Sequence, residues 1–228
     1  MTPKKDELVV KEQSALAIPT KRGLEVTPEQ SDIVIPRTQL LQKMSEIPDG
    51  MKAGWIINSL TREMLPAEFV PIMNLYMYLR FNSKDKSKPG FDSAFEPGQL
   101  MWRTPSPTTE QLKECEFGPD GEAPLAQKQI CFLSYFMGED IPVMLNFSKT
   151  SYNAGKRLLT LAKYLPGDIW DYKYKLASIE EHKNGNDYYV LKVTPAGKSD
   201  EETRQHAIGL YTQFKAMNVA DKVHAEEE

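Results

Sequence analysis

The stretch Glu68 to Asn82, EFVPIMNLYMYLRFN, limits the fold more than any other part of the chain. It is the longest apolar run, and its side chains alternate with the period of two that a strand requires. Phe69, Met73, Leu75, Met77, Leu79 and Phe81 fall on one side, and Val70, Ile72, Asn74, Tyr76, Tyr78 and Arg80 on the other. A long strand is expected here, buried on one face and partly exposed on the other.

Other strands follow from shorter signals. Ile33-Val34-Ile35 is β-prone and Pro36 confines it to an edge or a strand end; Ile47-Pro48-Asp49-Gly50 has turn chemistry, and Gly54 to Asn58 reads as the next strand. Gln129 to Phe136 and Val143 to Phe147 flank Gly138-Glu139-Asp140 as a hairpin. A second hairpin is expected where Asn184-Gly185 separates the run that follows Ile169 from Tyr188 to Thr194. Alternation in the first of these runs places Trp170, Tyr172, Tyr174 and Leu176 inward and Asp171, Lys173 and Lys175 outward.

Two helices are legible. Leu158, Leu161, Ala162 and Leu165 recur at helical spacing, with Ser148, Thr150 or Ser151 available as a cap and Pro166-Gly167 as a stop. Near the C-terminus Ser199 and Glu202 have capping-box spacing, and Ala207, Leu210, Tyr211 and Phe214 form an apolar stripe. Strands, a helix, a hairpin and a terminal helix predict a mainly β protein with helices (α+β). The closure that fits best is an OB-like antiparallel barrel with an inserted helix and a C-terminal helix.

With 228 residues, about 40% of them hydrophobic, the chain is expected to form one domain with tails. Residues 1–31 are expected to be a flexible arm, since acidic and basic residues balance there and no period is sustained. Residues 32–220 form the single OB-like domain, interrupted by a Ser-, Lys-, Pro- and Gly-rich loop excursion at 83–129. Residues 221–228 are a short acidic tail. No apolar run is long enough to span a bilayer, so no membrane partner is expected, and the protein is expected to be soluble and cytoplasmic.

Most catalytic motifs are incomplete. Gly155-Lys156-Arg157 lacks the hydroxyl residue and the earlier glycine of a phosphate loop. Glu181-His182-Lys183 matches half of a metal-dependent nuclease site, but Asp171 lies on the same expected strand and the triplet sits beside a turn. His182, His206 and His224 are far apart, and the two cysteines, Cys115 and Cys131, are too few for a disulfide framework. No cofactor, metal or enzyme activity is implied.

Net charge is −4, which alone argues against nucleic acid, but its distribution is uneven. Residues 148–198 carry nine Lys/Arg against five Asp/Glu, while residues 199–228 carry three against seven. Single-strand binders combine a positive groove with aromatic rings on which bases stack. Candidates for such contacts are Tyr76, Tyr78 and Arg80 on the long strand, Trp102 and Arg103 in the excursion, Lys149, Lys156, Arg157 and Lys163 along the first helix, and Lys173 and Lys175. The competing account makes the tyrosine row a packing surface with Val70 and Ile72, and the lysines an ordinary solvated face.

Ile35-Pro36-Arg37 with Leu40-Leu41-Gln42, Gly54 to Glu63, Phe69-Val70-Pro71-Ile72, and Val143 to Leu161 with its Phe-Ser-Lys-Thr-Ser and Lys-Arg-Leu-Leu resemble a group of tailed-bacteriophage proteins. Members of that group often carry extra cysteines in the central excursion, which are missing here. The resemblance implies a phage product of the replication or recombination region, similar to OB-fold single-stranded DNA-binding proteins. The expected function is therefore non-catalytic binding of single-stranded DNA, with the acidic tail regulating or recruiting phage replication or recombination proteins. A protein-interaction or virion accessory module is the alternative, and a metal-dependent nuclease the third.

Overall fold

The long strand is present as Glu68–Phe81 (β3), but it does not alternate cleanly from end to end. The structure, a computed structural model, describes residues 34–44, 47–183 and 185–216. The arm at 1–31 and the acidic tail at 221–228 lie outside the described residues.

β3 pairs antiparallel with Ala126–Phe136 (β5), and the register jumps between Pro71 and Met73, leaving Ile72 opposite no residue. One extra residue inverts the parity of every side chain beyond it. Val70 and Ile72 consequently join Met77 and Leu79 in one core, while Phe69 lies in the other. The sequence expectation that Val70 and Ile72 share the face of Tyr76 and Tyr78 is corrected by this bulge.

The remaining strands assemble around β3. Thr38–Leu40 (β1) and Ile56–Asn58 (β2) form a separate two-stranded ribbon. Leu100–Thr104 (β4) pairs with the far half of β3, Val143–Phe147 (β6) pairs with β5, and Tyr172–Lys183 (β7) joins the near end of β3 and pairs with Asn186–Lys198 (β8). The sheet order is β6-β5-β3-β7-β8 with β4 beside β3. All its ladders are antiparallel, as expected for a mainly β protein with helices.

Among the described residues the sheet is not closed into a barrel, because no ladder joins β6 to β8. The ribbon lies across that gap instead. On one side Met144 N donates to Pro36 O at 2.8 Å and Asn146 N to the Thr38 hydroxyl at 3.4 Å. On the other side the Gln42 amide clasps the Tyr189 backbone, donating to its carbonyl at 2.9 Å and accepting from its N–H at 2.8 Å. Gly54 (φ +87°) lets the ribbon approach closely, since a Cβ there would stand 2.7 Å from the Tyr189 ring.

Each sheet face has its own helix. Tyr152–Tyr164 (α2) covers the first core, placing Leu158 against Phe69, Phe132, Phe147 and Tyr174; the Phe69 ring stacks on Phe136 at 5.4 Å between centroids. Glu201–Ala216 (α3) covers the second core with Ala207 and Phe214, beside Met77, Cys131 and Leu133. Trp170 belongs to this second side, packed on Tyr211 at 4.9 Å, because Ile169–Asp171 is a 3₁₀ turn that breaks the alternation expected of it. Tyr174 is fully buried and Tyr172 half-buried in the first core, as the inward row predicts.

Caps differ from the sequence reading. Asp200, not Ser199, caps α3 by accepting from Thr203 N at 2.9 Å, while the Ser199 hydroxyl donates to the Trp170 carbonyl. Neither Ser148 nor Ser151 caps the start of α2; Ser151 accepts from Leu191 N instead. Among the described residues no helix is long and apolar enough to cross a membrane.

α2 lies tight against the sheet at Gly155, where an added Cβ would stand 2.6 Å from the Cβ of Phe147. Gly155→Ala gains about 1 kcal/mol in helix propensity but overpacks this contact by about 1–3 kcal/mol. The expected outcome is a net loss of stability in urea unfolding, whereas Gly209→Ala in α3, which meets open space, gains stability.

Candidate nucleic-acid interface

The bulge in β3 frees its far half to present Tyr76 and Tyr78 on the face covered by α2. Lys128, directly opposite Tyr78 in β5, lies over both rings, its Nζ 3.9 Å from the Tyr76 centroid and 5.5 Å from that of Tyr78. On the other side of these rings the chain leaves β6 through a 3₁₀ turn at Lys149–Ser151 and enters α2. Tyr152 stands there, with the Lys156 Nζ 5.7 Å from its ring centroid.

Between these elements runs an open groove of about 850 Å³. Tyr78, Lys128, Lys149 and Tyr152 line one side, and Leu112, Phe117 and Leu125 from the excursion line the other. Among the described residues Lys128, Lys149, Lys156, Arg157 and Lys163 form no ion pair; the last four are exposed, and Lys128 is half-buried over the tyrosine rings. The uncapped N–H groups at the start of the helix add positive potential at the same end of the groove.

The excursion at 83–129 is not the plain loop that its composition predicts. It holds β4, the short helix Thr109–Lys113 (α1) and the first residues of β5. Asn82, 2% exposed, organises its first half by donating to the carbonyls of Asp92 and Phe95 and accepting from Asp92 N. Glu114 fastens its second half, forming an ion pair with Arg80 and accepting from the Trp102 indole N–H at 3.1 Å. Backbone groups that a loop would leave to water are satisfied by Asn82, just past the end of β3, and by Arg80 of β3, which donates to Gly90 O at 2.9 Å.

These contacts sort the expected site residues. Tyr78 and Lys149 line the groove, Tyr76 and Lys156 lie next to it through their contacts with Lys128 and Tyr152, and Arg157 and Lys163 are exposed along α2 beyond it. Arg80 and Trp102 do not join them as free groups, because both are engaged by Glu114 and Arg80 also donates to Gly90 O. Strand alternation sends Arg103 to the opposite face, opposite Leu79, where it lines a smaller cavity with Arg37. Lys173 and Lys175 also lie away from the groove, facing Asp200 at 3.9 Å and Glu68 at 3.4 Å.

Lys128 and Tyr152 were not among the residues singled out in the sequence. Lys128 becomes visible only once the register places it across from Tyr78. Tyr152 carries a weak signal, an aromatic residue opening the helix between Lys149 and Lys156.

At the opposite end of the sheet, Glu181-His182-Lys183 sits on an exposed strand end. There Glu181 accepts from the Tyr188 hydroxyl and His182 Nδ1 lies 2.7 Å from Asp187, whose carboxyl this contact holds below its ordinary range. Lys43 joins the same group through ion pairs with Glu180 and Asp187, tying the ribbon to the β7–β8 hairpin.

The fold and groove define an open antiparallel sheet protein with two helical covers and an aromatic, cationic cleft on one face. A family model described as Pam3 phage gp34-like protein matches residues 10–220, and the chain belongs to this bacteriophage protein family. No curated protein and no solved structure matches the chain.

The two thiols are placed to report on this architecture. Burial in the second core pushes the Cys131 thiol up to about 12, whereas Cys115, half-buried at the groove wall, is raised chiefly by partial burial and then by Glu114. Because the folded value of Cys131 exceeds its unfolded one, its contribution to stability is complete below the unfolded pKa. It is lost as pH rises from there toward 12. Iodoacetamide at mildly alkaline pH is expected to modify Cys115 and spare Cys131 until the protein is unfolded, as mass spectrometry of the digested peptides will show. Glu114→Gln removes the charge that holds Arg80 and is expected to cost about 1–3 kcal/mol with a shift in Trp102 fluorescence.

Proposed function

We propose that this phage protein binds single-stranded DNA without catalysis, in replication or recombination in the host cytoplasm. The observation that carries the reading is the meeting of two tyrosines, Tyr78 and Tyr152, with two lysines that form no ion pair, Lys128 and Lys149, along one open groove, with Tyr76 behind Lys128 and Lys156 beside the Tyr152 ring. Rings accept the faces of unstacked bases, and each such stack contributes about 1–3 kcal/mol; lysines release counterions when they meet phosphates. An antiparallel sheet with a binding face and a helix inserted before its last hairpin is the feature it shares with OB-like binders. The acidic tail then serves to regulate binding or recruit phage replication or recombination proteins.

A second reading, a protein-interaction or virion accessory module, is favoured by one observation: Phe117 is 74% exposed beside Leu112 and Leu125 on the groove wall.

Fluorescence anisotropy with a labelled oligothymidine tests the first reading. Binding is expected at low salt and to weaken steeply as salt is added, with Tyr78→Ala losing about 1–3 kcal/mol of affinity and Lys128→Ala reducing the salt slope by about 0.7. Bound oligonucleotide is also expected to slow alkylation of Cys115, which lines the groove. Absence of binding at low salt, or indifference to salt, overturns this reading and leaves the interaction module.

A further inference from the structure

Resting on the reading of the groove just given, we infer that the binding path does not end at Tyr152. It turns around the end of the sheet at Lys149 and continues into a second, polar cavity that takes the next nucleotide by its base edge. That second cavity, of about 360 Å³, is lined by Gln39, Gln129, Asn146, Ser148 and Thr150. Lys149 lines both cavities, so they adjoin at this residue.

Two independent features of the fold point to a ligand there. Asn146 Oδ1 is buried and has no hydrogen-bond partner among the described residues, and the Gln129 side chain makes no hydrogen bond either. Their neighbours in the ribbon are engaged: Gln39 accepts from Arg62, and Gln42 clasps Tyr189. Buried polar atoms are nearly always satisfied, so the open Asn146 oxygen, with the half-buried and uncommitted Gln129 amide in the same cavity, asks for a donor and acceptor from outside the chain. Base edges carry that combination, and Asn and Gln are the side chains that read it by paired hydrogen bonds.

The second feature is the backbone at the corner. Lys149 has φ +46°, and Arg62 is the only other non-glycine residue with positive φ among those described. A long side chain held in this unfavoured conformation, where a glycine would be relaxed, marks a position kept for its side chain. On this path a phosphate joining a base in the aromatic groove to one in the amide cavity passes beside Lys149, which lines both.

The corner also selects the form of nucleic acid. A single strand bends freely between adjacent nucleotides, but a duplex is stiff over about 150 base pairs and cannot follow a turn of one residue's width. The path therefore admits single strands and leaves duplex to contact the lysines alone.

The test uses the full chain and a series of labelled oligothymidines of increasing length, with the duplex of the same sequence alongside. For the wild-type protein affinity is expected to rise when the oligonucleotide becomes long enough to pass Lys149. The double variant Gln129→Ala with Asn146→Ala is expected to lose that gain, about tenfold, while binding the shortest ligands as before. Lys149→Gly is expected to lower the salt slope by about 0.7 while melting at the same temperature or higher, since glycine relaxes the corner. Lys149→Arg is expected to restore the slope. Wild-type binding that is matched by both variants at every length, or equal affinity for the duplex, overturns the extended path and leaves the aromatic groove standing. Failure of the wild-type protein to bind any oligonucleotide overturns both.

Discussion

The unpaired Ile72 in β3 is the constraint on which the rest of the structure depends. Before it, the strand gives Phe69 to the core beneath α2; after it, Met77 and Leu79 go to the core beneath α3. Without the extra residue, Val70 and Ile72 would share a face with Tyr76 and Tyr78, and the tyrosine row would continue an apolar surface. With it, the tyrosines stand apart from those two side chains and meet Lys128 from the neighbouring strand. One local irregularity moves Val70 and Ile72 to the core beneath α3 and leaves the tyrosines on the face where Lys128 meets them.

Sequence patterning exposed most of the element order but not this division. The strand at Glu68 to Asn82, both hairpins and both long helices were legible because apolar spacing and turn chemistry agreed at each of them. Ile72 was hidden because a bulge leaves no mark in a run where both neighbours are apolar. The helix caps were missed for a related reason: Ser151 and Ser199 have hydroxyls at the right spacing, but each is claimed by a distant backbone group, Leu191 N and the Trp170 carbonyl. Spacing reveals what a side chain can reach locally, and tertiary contacts decide which offer is taken.

Charge was read less well than shape. Arg80, Trp102, Lys173 and Lys175 looked like a binding set because their partners are far along the chain; Glu114 is 34 residues from Arg80. Three of the lysines that form no ion pair, Lys128, Lys149 and Lys156, come from three separate elements, and only the register of β3 on β5 and the turn after β6 bring them near one another. The excursion illustrates the same point. Its Ser-, Pro- and Gly-rich composition suggested a loop, whereas Asn82, just past β3, and Glu114, at the end of its own short helix, supply the bonds that give it a fixed course.

An open sheet has two outer strands, and unpaired strand edges are templates on which further strands can add. Here β6 has its Met144 and Asn146 amides taken by Pro36 and Thr38, and β8 has Tyr189 and Leu191 taken by Gln42 and Ser151. A seven-residue span of ribbon, residues 36 to 42, thus blunts one edge and, at Tyr189, half of the other. The sheet can remain unclosed between β6 and β8, leaving room on its face for a groove, without offering those two strands as sites for indiscriminate β-pairing.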